Sequence, residues 1–236
     1  LAALGAMAAG LAHEIRNPLA GIKGAPQFLE GENIPDTGRN MLRIVVHEAD
    51  RPNSVVSQFL EYARPFQLHL DTDHINAMAS YVLDLFRAQG VPEGIELIEE
   101  LAPNLPSLQL DRTKISQVLI NLIQNGIQAM PDGGMLTIRT LSRRRRTGEY
   151  VMELTVSDTG RGIDIQTREK LFVPFFTTKD DGTGLGLAIS QRIVQAHGGE
   201  IDLRSRIGRG STFIIRLPLP PDEEEIDDCP TAEVPL

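Results

Sequence analysis

Twice in its first third this sequence lays down an apolar stripe of helical period, and one short run of helix-breaking residues separates the two stripes. Leu4, Ala8, Leu11, Ile15, Leu19 and Ile22 recur at steps of three and four, which places them on a single helix face. Met41, Val45, Ala49, Val56, Phe59 and Ala63 carry a second stripe through residues 40–63. The "EGENIPDTG" run between them is rich in Gly, Pro and Asn, so the region predicts a helical hairpin. One hairpin buries little of either stripe by itself. Two copies combining into a four-helix bundle would cover both, which predicts a homodimer. Pro26 and Pro52 lie inside the predicted helices, where the missing N–H and the ring clash are expected to kink or weaken them locally.

Helical period gives way at "YARPFQLHL", where Pro65 ends the second helix. Beyond it, "VLDLFRAQG" reads as a helix and "IELIEEL" as a strand, while "DRTKISQVLINLIQNGIQAM" reads as a long helix with Asp111 at its N-cap. "MLTIRTL" and "YVMELTVSD" alternate as paired strands, and "EIDLRSRIGRGSTFIIRLPL" as a closing hairpin. Helices flanking a largely antiparallel sheet predict an α+β domain. The expected organisation is a helical hairpin over residues 1–67, the α+β domain over 68–219, and an acidic tail over 220–236 that is expected to be disordered.

With 236 residues, 41% of them hydrophobic, the chain can bury one or two ordinary cores. Its formal charge of -9 is concentrated in the tail, where Asp222, Glu223, Glu224, Glu225, Asp227, Asp228 and Glu233 stand without a Lys or Arg. The body is therefore nearly neutral. It carries no nucleic-acid footprint, because the dense basic run, Arg143 to Arg146, sits between two strands and reads as a solvated hairpin loop or, alternatively, as a partner or lipid contact. The single cysteine, Cys229, cannot form an internal disulfide, in keeping with a reducing cytoplasm. The opening "LAALGAMAAGLA" is too short to span a bilayer and runs straight into His-Glu without the basic flank of a signal peptide. Starting inside a helix at Leu1, the chain is expected to be a piece of a longer cytoplasmic or membrane-anchored protein, with no membrane contact in this segment.

Several short stretches carry chemistry. At about 100° per residue, His13 lies roughly 200° from both Leu11 and Ile15, so it points away from the apolar stripe with Glu14 beside it. Taken alone, the pair reads as surface residues. "DTGRGI", Asp158 to Ile163, places a carboxylate at a strand end, followed by Gly160 and Gly162, which let a purine base approach backbone. Such an Asp can accept from an exocyclic amine. "DGTGLGLAIS", Asp181 to Ser190, is a glycine-rich turn opening a helix, which offers free N–H groups and a positive dipole end to phosphate. It lacks the Gly-Lys-Ser/Thr of a P-loop, and no βαβ unit surrounds it as in a dinucleotide fold. On the long helix Asn121 and Asn125 share a face. Neutral amide oxygens suit a Mg²⁺ whose charge is balanced by phosphates, and they equally suit a structural bond to a nearby loop.

In order along the chain, HEIRNPL, NLIQNGIQAM, DTGRGI, FVPFFTTK, GTGLGLAIS and GRGSTF resemble a sensor histidine kinase of a two-component system. The likeness runs to about residue 218 and implies dimerisation and phosphoacceptor helices followed by a GHKL-type α/β sandwich that binds ATP. It implies His13 as phosphoacceptor, Glu14 as the group orienting its ring, and Asn17 as the residue that positions water for dephosphorylating a partner. A neutral imidazole, with pKa about 6.5, is nucleophilic at pH 7. Asn125 matches the Mg²⁺ ligand. Asn121 stands where related ATPases place a water-activating glutamate, and an amide cannot act as that base. Asp158, Gly160 and Gly162 match the adenine-reading box. Gly182, Thr183, Gly184, Leu185 and Gly186 match the phosphate-side turn, and Lys179 is expected either to reach a phosphate or to be solvated. Phe175 and Phe176 fit either the family's phenylalanine box, which couples lid to helices, or core packing. Gly210, Ser211 and Thr212 match the last glycine box in a packing role. Gly126 departs from a common Ala, at a cost of roughly 1 kcal/mol in helix propensity. The very short lid between Lys179 and Gly184 resembles the nitrogen-regulation sensors, whose receivers are usually fused to enhancer-binding transcription activators.

The implied activity is ATP-dependent autophosphorylation of His13, transfer to an Asp of a response regulator, and a phosphatase activity towards that regulator. Two alternatives stand beside it: a GHKL-type ATPase that drives a conformational cycle, and a silent nucleotide-binding dimeric scaffold.

Overall fold

The computed structural model describes residues 36–63, 67–144, 150–179 and 182–219. The first predicted helix with His13, Glu14, Asn17 and Pro26, the tail with Cys229, and Arg145 and Arg146 lie outside the described residues.

Helix α1 (Asp36–Ala63) starts within the run expected to be loop and continues through Pro52. Packing at the C-terminal end, where Leu60 and Ala63 are buried, offsets the hydrogen bond that Pro52 cannot make. Towards its N-terminal half, Met41, Ile44 and Val45 are exposed at 64%, 61% and 43%. This open apolar face is the one expected to meet other helices.

The rest forms a two-layer α+β unit. Strands β2 (Ile95–Leu101), β4 (Gly134–Arg144), β5 (Tyr150–Asp158), β6 (Glu200–Arg206) and β7 (Gly210–Pro218) make one sheet in the order β2-β4-β5-β7-β6. β2 and β4 are parallel and all other neighbours antiparallel. The expected β4–β5 pair and the closing β6–β7 hairpin are both present. The parallel pair, with its crossover through α3 (Arg112–Gln128), is a connection that strand periodicity cannot reveal. Helices α2 (Ile75–Gln89), α3 and α5 (Gly186–Ala196) cover one face, and Met78, Leu119, Leu122 and Ile193 meet Leu136, Met152 and Ile215 in a fully buried core. A short α4 (Ile165–Lys170), capped by Asp164, follows β5.

A second ribbon was not legible in the sequence. β1 (Asp71–Asp73) pairs antiparallel with β3 (Leu108–Leu110). Three residues are too few for alternation to register. The ribbon leads into Asp111, which binds the surrounding elements together. Its carboxylate accepts the N–H of Lys114 at 3.0 Å and of His69 at 3.1 Å. Its own N–H donates to His197 Nε2 at 2.9 Å, while His197 Nδ1 lies 2.8 Å from the Ile193 carbonyl. Burial pulls the Asp111 carboxyl up, but the two backbone donors outweigh it and hold the group below its ordinary range. His197 is thereby a structural link between the ends of α3 and α5.

The opposite sheet face is polar and cross-braced. Arg216 reaches Glu153 at 2.9 Å, Glu200 at 3.0 Å and Asp202 at 2.6 Å. No described helix is long and apolar enough to cross a membrane.

Candidate active site

α3 presents its site residues because its apolar positions leave only one face free. Ile115, Val118, Leu122 and Ile123 turn into the core, so Gln117, Asn121 and Asn125 come to the half-buried edge facing α5. Asn121 Nδ2 donates to Ser190 Oγ at 2.9 Å, and Ser190 in turn donates to the Gly186 carbonyl at 3.0 Å. The α5 backbone comes so close here that a Cβ on Gly186 would lie 2.5 Å from Asn121 Oδ1. Asn125 Nδ2 sits 3.4 Å from that same oxygen. Asn125 Oδ1 is thereby turned outward, where it accepts from Lys179 Nζ at 2.6 Å. Lys179 also donates to Gln128 Oε1. Burial, with repulsion from Arg161, lowers the Lys179 ammonium below its ordinary range.

Asp158 closes β5 beside this edge, almost fully buried. Gly160 N–H donates to its Oδ1 at 2.9 Å. Burial raises the carboxyl above its ordinary range, and the backbone donors at Gly160 and Ser211 only partly oppose this. The glycines around it are demanded by close approach. A Cβ at Gly160 would lie 2.4 Å from the Ala129 carbonyl oxygen, and one at Gly210 only 1.9 Å from that of Asp158, in agreement with the packing role expected of the last glycine box. Gly126 also has a structural reason. A Cβ there would stand 2.7 Å from Leu136 Cδ1 and 3.4 Å from Asp158 Cβ, so the absent methyl lets α3 lie against the strand end that carries Asp158.

Across the cleft, Gly182 to Gly186 lead into α5, and no side chain caps the first turn of that helix. The uncapped turn is the arrangement that receives an anion. Leu185 differs from its neighbours. Its side chain is fully buried in the core, so only its backbone can face a ligand. Gly184 is in the left-handed region at φ 69, and its carbonyl accepts the Phe175 N–H at 3.0 Å. That bond pins the phosphate-side turn to the phenylalanine segment. Phe175 is not core: it is 56% exposed and its ring centroid stands 6.1 Å from that of Phe59 on α1.

The end of α1 takes part in the site at three further places. Thr183 Oγ1 donates to Gln58 Oε1 at 2.5 Å. Glu61 accepts from Lys114 Nζ at 2.6 Å and from Gln117 Nε2 at 2.9 Å. The Arg192 guanidinium lies 4.8 Å from the Tyr62 ring centre, in cation–π range. Asn121, Asn125, Asp158, Gly160, Lys179, Thr183 and Gly186 are thus drawn to one end of the sheet, with Gly162 at the turn beyond Asp158. Ser190, Gln128, Gln58 and Glu61 were missed by sequence reasoning. Ser190 stands four residues after Gly186 and Gln128 three after Asn125, a spacing that could have placed them. Nothing local announces the bond between Gln58 and Thr183.

Among the described residues no group of three or more His, Cys, Asp or Glu side chains is arranged to hold a metal ion. The donors that do converge are the neutral amide oxygens of Asn125 and Gln128. Both already hold a cation, the Lys179 ammonium, so the donor set fits a metal whose charge a nucleotide balances.

Residues 110–221 match the family described as histidine kinase-, DNA gyrase B- and HSP90-like ATPase. Residues 3–65 match the His Kinase A (phospho-acceptor) domain. The catalytic domain of the histidine kinase ThkA is 35% identical, with a TM-score of 0.55, and the alignment covers 64% of this chain and 95% of that one. The chain belongs to the histidine kinase family. A second histidine kinase structure, of ThkA in complex with the response regulator protein TrrA, is 32% identical with a TM-score of 0.67, covering 91% of this chain and 61% of that one. The signal transduction histidine-protein kinase AtoS of Escherichia coli is 39% identical over 221 residues, which are 94% of this chain and 36% of AtoS. The chain spans less than half the length of the curated histidine kinases it matches.

Proposed function

We propose that this chain is the ATP-dependent kinase core of a two-component sensor, phosphorylated on His13 and passing the phosphoryl group to an Asp of a response regulator. The observation that carries the reading is the convergence of Asn125, Asp158 and the Gly182–Gly186 turn at one end of the sheet, downstream of a phosphoacceptor-domain match. Asp158 accepts from the adenine amine, while Gly160 and Gly162, whose missing Cβ atoms make room for the Ala129 and Arg206 backbone, set the turn beside it against which the base lies. The uncapped N–H groups of α5 receive the phosphates. Asn125, with Gln128 beside it, would hold Mg²⁺, which when bound supplies charge neutralisation at the phosphates.

In the chemical step the unprotonated ring nitrogen of His13 forms a bond to the γ-phosphorus as the bond to the bridging oxygen breaks and ADP departs. Glu14 accepts from the other ring nitrogen and stabilises the positive charge that develops. Asn121 is held by Ser190 and has no basic lone pair for activating water, which favours transfer to a positioned imidazole over hydrolysis. Asn17 would position water in the reverse role, dephosphorylation of the regulator.

The domain boundary is placed between residues 67 and 68, with the ATP-binding domain ending at 219. The open Met41, Ile44 and Val45 face supports a homodimer through a four-helix bundle. ThkA's structure with TrrA supports a receiver domain as partner, and the short lid supports a receiver fused to an enhancer-binding activator. The chemistry is placed in the cytoplasm, in keeping with the lone cysteine.

The test is incubation of the chain with γ-labelled ATP and Mg²⁺ beside His13→Gln. Base-stable, acid-labile label that is lost in the variant is expected. Steady phosphate release without protein label would replace this reading with the ATPase one.

A further inference from the structure

Lys179 is fixed at both ends. Its N–H donates to Thr177 Oγ1 at 3.1 Å and its carbonyl accepts from Gly182 N–H at 3.2 Å, so the backbone is set in the turn that leads to the phosphate-side glycines. From there the side chain crosses the cleft to α3 and ends on Asn125 Oδ1 and Gln128 Oε1, two amide oxygens three residues apart on one helix face. It is half-buried, and among the described residues no carboxylate pairs with it. A desolvated ammonium held only by neutral dipoles calls for an anion. The nearest built anion site is the uncapped start of α5.

The oxygen that Lys179 holds is also the one assigned to the metal, so this inference rests on the proposed function. Two cations on one amide oxygen would stand within a few ångströms of each other and repel strongly in a half-buried cleft. We propose that Lys179 is a built-in counter-cation that alternates with the divalent metal at Asn125: it occupies the metal-ligating oxygen and neutralises nucleotide phosphate when metal is absent, and metal displaces it. Lys179 is then a positioning residue. It keeps the Asn125 and Gln128 oxygens facing the cleft, and it makes nucleotide affinity less dependent on metal than an Asn ligand alone would.

The test is equilibrium binding of a non-hydrolysable ATP analogue to the full chain, by calorimetry, in Mg²⁺ and in EDTA. In Lys179→Met the affinity in EDTA is expected to fall about tenfold, equivalent to about 1.4 kcal/mol. The affinity in Mg²⁺ should change far less, so the ratio of the two rises. Lys179→Gln, a polar side chain without the charge, should move the ratio the same way, which keeps the test open if Lys179→Met folds poorly. Equal losses in both buffers would make Lys179 a plain phosphate contact, and no loss in either would make it a solvated side chain; both overturn the proposal. A Mg²⁺ effect that is abolished by Asn125→Ala but equal in wild type and Lys179→Met keeps the metal role of Asn125 and overturns only this inference. An affinity indifferent to Mg²⁺ in both wild type and Lys179→Met overturns both.

Discussion

Gly184 and Gly208 have almost the same backbone conformation, φ 69 and 72, and very different surroundings, so alanine at each separates strain from collision. A Cβ on Gly184 would lie 2.4 Å from the Phe175 carbonyl carbon and 2.7 Å from both the Phe175 oxygen and the Phe176 nitrogen. These are backbone atoms and cannot swing aside. A Cβ on Gly208 would meet nothing within 4 Å. Both substitutions incur the left-handed penalty of about 1–2 kcal/mol. Gly184→Ala must also push the phenylalanine segment away, breaking the 3.0 Å bond from Phe175 N–H, a further loss of about 1 kcal/mol. At about 2–4 °C per kcal/mol for a domain of this size, Gly208→Ala is expected to lower Tm by a few degrees and leave nucleotide affinity unchanged. Gly184→Ala should lower Tm further and weaken nucleotide binding by about tenfold or more, at about 1.4 kcal/mol per factor of ten, because Thr183 and Lys179 move with the turn. Thermal melts and titration of a fluorescent ATP analogue read both quantities. Equal effects of the two alanines, or wild-type nucleotide affinity in Gly184→Ala, would refute the coupling of the turn to the phenylalanine segment.

Three other perturbations follow from the packing. Arg216→Met removes the 2.9 Å partner of the Glu153 side chain, which is 2% exposed, and leaves it Arg143 at 4.0 Å, so it should cost about 3 kcal/mol in chemical denaturation; adding Glu153→Met should restore most of it, and a second substitution without benefit would dismiss the pair. Asp111 is held below its ordinary range by backbone donors, so its contribution is complete above its unfolded pKa of about 3.9 and is lost as pH falls through the lower folded value. The stability gap between wild type and Asp111→Asn should therefore close only in strong acid, and a gap unchanged between neutral pH and pH 2 contradicts this. Glu61→Ala removes both bonds from α1 to Lys114 and Gln117 and should speed amide exchange in the last turns of α1 by about fivefold, for a loss of about 1 kcal/mol; unchanged exchange would mean that the other contacts of this end, from Gln58, Phe59, Leu60 and Tyr62, hold the helix without it.

Much of the fold could be read because its signals are local. The period of Ile115, Val118, Leu122 and Ile123, the cap at Asp111, and the alternation of β4 and β5 all lie within one element and are set by backbone geometry. The β1–β3 ribbon was hidden because three-residue strands show no period, and the parallel β2–β4 pair because register between distant strands leaves no mark in either. The candidate site divides the same way. Asn121, Asn125, Asp158 and the glycines stood out through spacing and turn chemistry. The partners that orient them did not, because Ser190 is 69 residues from Asn121, and Gln58 is 125 from Thr183. Leu185 shows the reverse error: it sits inside a ligand motif, yet the start of α5 turns its side chain into the core.

The most consequential of these non-local contacts all fall on one short piece of α1. Gln58, Phe59, Glu61 and Tyr62 meet Thr183, Phe175, the Lys114–Gln117 face of α3, and Arg192 of α5, respectively. At about 100° per residue, these four positions fall within an arc of about 160° around the axis, so the nucleotide-binding domain grips one side of the end of the helix. A rotation of α1 about its axis by even one residue's worth would displace all four contacts together, because all four lie on that one side. Two of them, Thr183 and Phe175, belong to the phosphate-side turn and the segment pinned to it through Gly184. Torsion in α1 is therefore expected to reach the Gly182–Gly186 turn through side chains in direct contact, with no need for the sheet or its core to deform.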